Sequence, residues 1–182
     1  MSKQLAFNGV VLAGGHSSRM GQDKANLEFY GETLLERAKS SLVKAGAEEV
    51  IVVRKGAIED IFADCGPLGG IHAAIQCAGD KPLAIIPVDL PLLEHTDIEM
   101  MVSAGINAQC ISRFKGQFIP LFIPKPKQLL EALTERLMQG SNLSLRHFFK
   151  PYQSFEVAPT NADALENANT PDEWQRILVK RS

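Results

Sequence analysis

Several absences narrow what this chain can be. No apolar run approaches the roughly 18 residues that a bilayer span requires, and the opening Met1-Ser2-Lys3-Gln4 lacks the charged-then-apolar layout of a secretion signal. Cysteine is scarce. Cys65, Cys77 and Cys110 are odd in number and have no metal-ligand spacing, so a cytoplasmic chain with reduced thiols is the simplest expectation. Charge of one sign is missing too: 19 Lys and Arg against 21 Asp and Glu give a net charge of −2. That balance argues against a general binder of nucleic acid or anionic membrane, which needs a basic surplus. Internal repeats and low-complexity stretches are absent. His16, His72, His95 and His147 have no Cys or His partner at metal-ligand spacing, so ordinary structural roles are expected for them.

What is present fits one domain over residues 1–182, with 45% hydrophobic and 22% charged residues, enough to bury a core. Short apolar runs alternate with segments of helical period, which predicts an α/β architecture with a largely parallel sheet. Strands are expected at Phe7–Leu12, Val50–Val53 and Leu83–Val88, and less regular ones at Ala108–Ser112 and Phe118–Ile123. Continuous rather than alternating hydrophobicity in the first and third means burial on both faces. Pro87 is awkward for ladder bonding there. Helices are expected from a Thr33 cap to Ala45, over Leu68–Ala78, from Thr96 to Ala104, between Pro126 and Gly140, briefly over Ser144–Phe149, and from Pro171. Leu130, Leu133 and Leu137 form the apolar face of the fourth. In such a sheet, ligands sit outside the carboxyl ends of the strands, so the loops after Leu12, Val53 and Val88 are where chemistry is expected.

The first of these loops reads Leu12-Ala13-Gly14-Gly15-His16-Ser17-Ser18-Arg19-Met20-Gly21-Gln22-Asp23-Lys24. Two glycines let the backbone turn and approach a ligand closely, and their amides can form an anion-binding concavity. Arg19 adds a planar donor fork and Lys24 a mobile point charge. Together they suit a triphosphate. The loop has neither the Gly-Lys-Ser/Thr ending of a Walker A motif nor GxGxxG spacing. In the third loop, Asp89-Leu90-Pro91 places a carboxylate at the edge of a buried strand. That position suits Mg²⁺, a hard ion commonly held by one or two carboxylates plus substrate phosphates; a turn aspartate is the plainer alternative.

The pattern LAGGxSxRMGxDK resembles the signature loop of the nucleotidyltransferases that act on the molybdenum cofactor, and in particular the molybdenum cofactor guanylyltransferases (the MobA family). The resemblance runs from about residue 7 to 178. It implies a three-layer, Rossmann-like nucleotidyltransferase fold, with the N-terminal half binding nucleotide and the C-terminal half binding the acceptor. It implies that Leu12, Ala13, Gly14 and Gly15 hold a guanine nucleotide, that Arg19 and Lys24 engage its phosphates, and that Asp89 binds the bridging metal. Gly15 favours guanine, since the related cytidylyltransferases read LAAG at this turn. Gly66-Pro67-Leu68 resembles the family turn beside the base. Ile58-Glu59-Asp60 resembles the segment whose aspartate recognises guanine, with Asp64 the other contender. Only Arg54, Lys55, Gly56 and Ala57 separate Val53 from Ile58, fewer residues than the family has, and Val53 stands where the family commonly has Asn or Ser.

Asn167-Ala168-Asn169-Thr170-Pro171 resembles the family's NxNTP element, which makes Asn167 and Asn169 candidates for contacting molybdopterin; helix capping by Asn169 or Thr170 is the alternative. The implied reaction is GMP transfer from GTP to the terminal phosphate of molybdopterin, or its molybdenum-loaded form, with release of pyrophosphate. The implied catalytic residues are Arg19, Lys24 and Asp89, the cofactor is Mg²⁺, and molybdoenzyme-maturation proteins are possible partners. Rival readings are a transferase using CTP or another phosphorylated acceptor, and a non-catalytic nucleotide-binding adapter. A P-loop ATPase is more distant, for want of the Walker ending.

Overall fold

The computed structural model describes residues 6–14, 23–54, 62 and 65–180. The order of elements is β1 (Asn8–Leu12), β2 (Glu28–Phe29), β3 (Glu32–Thr33), α1 (Leu34–Lys44), β4 (Val50–Val53), α2 (Gly66–Ala78), β5 (Leu83–Pro87), α3 (His95–Ala108), β6 (Ile111–Phe114), β7 (Leu121–Ile123), α4 (Lys127–Gln139), α5 (Leu145–Phe149), β8 (Ser154–Val157) and α6 (Pro171–Lys180). Six strands form one sheet in the order β4-β1-β5-β7-β6-β8, and β2 and β3 form a separate small hairpin. β7 runs antiparallel to both of its neighbours, while β1 is parallel to β4 and β5, and β6 to β8. Five strands therefore point the same way, and their carboxyl ends share one edge. Among the described residues, no helix is long and apolar enough to cross a membrane.

β1, paired on both sides, shows why a continuous apolar run reads as an interior parallel strand. Val10 and Val11 are both fully buried but belong to different cores. Val11 packs with residues of α1, α3 and α6 on one side of the sheet, and Val10 with residues of α2, α4 and α5 on the other. Pro87 causes no ladder defect. The Val88 N–H bonds to the Leu12 carbonyl at 3.1 Å, so the donor missing at Pro87 would face the β7 side, where pairing has already ended at Ile85 opposite Leu121.

Local rules fix the helix boundaries. Thr33 caps α1 through a reciprocal capping box with Glu36, and that hydrogen bonding holds the Glu36 carboxyl below its ordinary pKa. Three expectations shift. The third helix extends through Ala108, so its strand begins at Ile111 rather than Ala108 and continues to Phe114. α3 approaches the sheet through Gly105, where a Cβ would lie 2.4 Å from Phe122 Cδ1 and 2.6 Å from Ser112 Oγ. Residues 118–120 stay out of the sheet, leaving only Leu121–Ile123 as a strand. On α4 the buried row is Leu129, Leu133 and Leu137, with Leu130 only half-buried, because spacing by four, 3.6 residues per turn rounded up, keeps that row on one face.

Candidate active site

The carboxyl edge of β4, β1 and β5 collects the loops singled out by sequence. The Ala13 N–H bonds to the Val53 carbonyl at 2.9 Å, so Ala13 and Gly14 leave β1 beside the end of β4. Gly14 is exposed there, and a Cβ on it would meet nothing closer than 3.7 Å. The fold itself has room for a side chain at Gly14. Gly66 opens α2 at φ +62°, a conformation that favours glycine. Cys65 makes no side-chain capping bond to α2, and Pro67 sits in the first turn of the helix. Leu68 is fully buried, and Gly70 lets the helix settle on Leu12, whose methyl lies 3.1 Å from where a Cβ would be.

Lys24 and Asp89 meet at this edge. Lys24 Nζ lies 3.2 Å from Asp89 Oδ2, with both side chains about four-fifths buried. Lys24 also donates to Asn169 Oδ1. Each partner is fixed by its own surroundings. Lys24 starts a single 3-10 turn, Lys24–Asn26, capped by Asp23, and fully buried Ala25 anchors that turn in the core. Asp89 follows the last strand residue by two positions, and its carbonyl accepts from the Ala168 N–H at 3.0 Å. That bond brings the segment before α6 onto the loop. Thr170 and Glu173 form the reciprocal cap of α6, with the Asn169 N–H also donating to Glu173 at 2.9 Å. Capping thus falls to Thr170, and the Asn169 side chain is directed to Lys24 instead. Asn167 is exposed.

Gly15, Arg19, Asp60 and Asp64 lie outside the described residues. Two residues that support the site escaped the sequence reading. Arg37 of α1 donates to the Pro91 carbonyl and pairs with Glu94 at 2.9 Å, while its guanidinium lies over the Phe29 ring. It thereby ties down the loop that leaves Asp89. Fully buried Asp97 accepts from the backbone N–H and the hydroxyl of Thr160 at 2.7 and 2.6 Å, stapling the chain after β8 to the start of α3. Neither contact has a local sequence signal. His72 is buried within α2, its Nε2 3.0 Å from Thr134 Oγ1, a structural position.

Comparison with known proteins agrees with this arrangement. The model of the MobA-like NTP transferase domain matches residues 9–155. This chain belongs to the MobA-like NTP transferase family. Within that family, it is 38% identical over 187 residues to a molybdenum cofactor guanylyltransferase of Xanthomonas euvesicatoria pv. vesicatoria (strain 85-10), covering 98% of this chain and 97% of that one. A probable molybdenum cofactor guanylyltransferase of Opitutus terrae is 36% identical, over 79% of this chain and 77% of its own. Among solved structures, molybdopterin-guanine dinucleotide biosynthesis protein A of Archaeoglobus fulgidus superposes with a TM-score of 0.78 at 19% identity, covering 97% of this chain and all of that one. A 2-C-methyl-D-erythritol 4-phosphate cytidylyltransferase of Thermus thermophilus gives 0.72 at 16% identity over 97% and 98%. The MobA-like chain thus has the nucleotidyltransferase fold and is a nucleotidyltransferase.

Proposed function

We propose that this chain transfers GMP from GTP to the terminal phosphate of molybdopterin, or its molybdenum-loaded form, giving molybdopterin guanine dinucleotide and pyrophosphate. The reading rests above all on end-to-end similarity to a guanylyltransferase, together with the meeting of Lys24 and Asp89 at the carboxyl edge of the sheet. In the reaction an oxygen of the acceptor phosphate bonds to the α-phosphorus of GTP. The bond from that phosphorus to the bridging oxygen breaks, and its electron pair leaves with pyrophosphate. The nucleophile is already ionised at neutral pH, so no general base is required. Catalysis reduces to alignment and charge stabilisation.

Lys24 supplies a cation to the phosphates. Before they arrive it is held by Asp89 and Asn169; the phosphates offer a competing anion, and the short reach from Asp89 keeps the ammonium beside the reacting group. Arg19 adds a second cation, and the turn Leu12-Ala13-Gly14-Gly15 cradles the nucleotide with the opening of α2 at Gly66, Pro67 and Leu68 beside the base. Asp60 reads the ring N–H donors of guanine, Asp64 being the other contender. Asn167 and Asn169 contact the acceptor.

A divalent metal fits Asp89. Its carboxylate is a hard oxygen donor at the sheet edge, one oxygen engages Lys24, and Mg²⁺ needs only one or two carboxylates when phosphates complete its shell. Among the described residues no three His, Cys, Asp or Glu side chains cluster as a metal cage, so Asp89 would hold Mg²⁺ jointly with substrate. Held there, the ion would supply positive charge to offset that of the substrate phosphates. We further place the protein in the cytoplasm as one domain, with molybdoenzyme-maturation proteins as partners.

The test is pyrophosphate release with molybdopterin, Mg²⁺ and each of the four nucleoside triphosphates in turn. The expected result is release with GTP well above the other three. A preference for CTP would refute the base assignment, and release with none would leave the adapter reading in place.

A further inference from the structure

The first turn of α1 is bonded to both of the chain segments that meet at the site. The Leu34 N–H donates to the Leu27 carbonyl at 2.9 Å, and the Leu27 N–H to the Lys24 carbonyl at 3.1 Å. The turn that carries Lys24 therefore hangs from the start of the helix. Arg37 lies three positions after Leu34, a neighbour on the same face. Its Nε donates to the Pro91 carbonyl, two residues after Asp89, and its Nη2 pairs with Glu94. Its guanidinium lies 5.3 Å from the centre of the Phe29 ring, and fully buried Phe29 belongs to the hairpin that follows the Lys24 turn. One side chain thus touches both segments.

These contacts exceed what an ion pair needs. The Glu94 side chain is 40% exposed against 17% for Arg37, and a pair so open to water adds little to stability. What requires arginine is the planar fork: one N–H for a backbone carbonyl, another for a carboxylate, and a flat face for a ring, at fixed mutual angles. The turn around Pro91 is closed by the Leu93 N–H on the Leu90 carbonyl at 3.2 Å, which leaves the Pro91 carbonyl to Arg37. We infer that Arg37 is a positioning residue for the transfer. It sets the separation between Lys24 and Asp89, whose contact closes over 65 positions of chain, and so aligns the ammonium and the carboxylate on one phosphate. Arg37 itself touches no substrate. The inference rests on the transferase reading proposed above. Displacing a reacting group by about 1 Å costs on the order of 10²-fold in rate, so a small drift of the Asp89 turn is enough to be read.

The test compares the wild type with Arg37→Met, Arg37→Lys and the control Gly105→Ala, which strains the packing of α3 near its far end. Each is measured for Tm, for kcat and KM for GTP by pyrophosphate release, and for GTP affinity with Mg²⁺ and with EDTA. Arg37→Met is expected to lower kcat at least about 30-fold with KM for GTP within about threefold. Arg37→Lys keeps the charge but not the fork, and its kcat falls about tenfold. Gly105→Ala keeps kcat within about twofold although its Tm also falls. In the wild type Mg²⁺ tightens GTP binding. Both Arg37 variants lose most of that gain, while their affinity in EDTA stays within about twofold of wild type. A merely structural arginine would move Tm and leave the Mg²⁺ gain alone. Should Arg37→Met fail to fold, Arg37→Lys decides. Wild-type kcat in the folded Arg37 variants, an equal loss of kcat in Gly105→Ala, or an undiminished Mg²⁺ gain would overturn the inference. A wild type that releases no pyrophosphate with any triphosphate would remove the transferase reading, and the Mg²⁺ gain in GTP affinity would then judge Arg37 by itself.

Discussion

Replacing Lys24 by alanine separates chemistry from folding. The pair it forms with Asp89 at 3.2 Å has a gross attraction of about 5 kcal/mol at an effective dielectric constant near 20. Most of that is offset by taking two charges largely out of water, and each keeps some contact with solvent. The net cost of Lys24→Ala in stability is about 1–2 kcal/mol, including the hydrogen bond to Asn169. For a chain of this size that lowers Tm by roughly 2–8 °C. Turnover responds differently. An ammonium aimed at charge that develops in the transition state is worth about 3–4 kcal/mol, or 10²–10³-fold. Pyrophosphate release under saturating substrates, set beside a thermal melt, reads both numbers. A variant that melts within this window but turns over within threefold of wild type would remove Lys24 from the mechanism. A variant that no longer folds would mean that the ion pair is structural and the stability estimate wrong.

Gly105→Ala drives a methyl into the Phe122 ring and the Ser112 hydroxyl, the latter already bonded to the Met101 carbonyl; a loss of about 1–3 kcal/mol is expected, read by urea unfolding, and no loss would show that α3 shifts freely. The Glu36 carboxyl is held below its ordinary pKa chiefly by the Thr33 side chain. Its stabilising contribution is therefore complete above the ordinary glutamate value and disappears as pH falls through the lower folded value. Acid titration of stability should show that loss in the wild type and lack it in Glu36→Gln.

The parts of the fold that were legible are those where one local rule acts alone. Val10 and Val11 announce a central strand because neither face of it meets water, and Thr33 with Glu36 states the start of α1. The edge strand β8 was missed because Phe155 and Glu156 are exposed and no apolar pattern marks it. The reversal of β7 was missed because strand direction is set by the length and path of its connections, which three buried residues do not encode. At the site, Lys24 and Asp89 were legible because each stands in a loop after a buried strand. That Asn169 joins them while Thr170 does the capping depends on the Ala168 bond to Asp89 and on the Glu173 cap, contacts set by tertiary packing. Arg37 carries no local sign of its reach to Pro91, since the partner lies 54 positions away.

The central claim is that Lys24 and Asp89 converge on one polyphosphate and its divalent ion. A crystal structure of the chain soaked with GTP and Mg²⁺ addresses it most directly. The account predicts an ion on Asp89, the ammonium of Lys24 moved onto a phosphate oxygen, and the triphosphate lying across Gly14. A triphosphate bound elsewhere on the molecule, with the Lys24–Asp89 contact undisturbed, would contradict it.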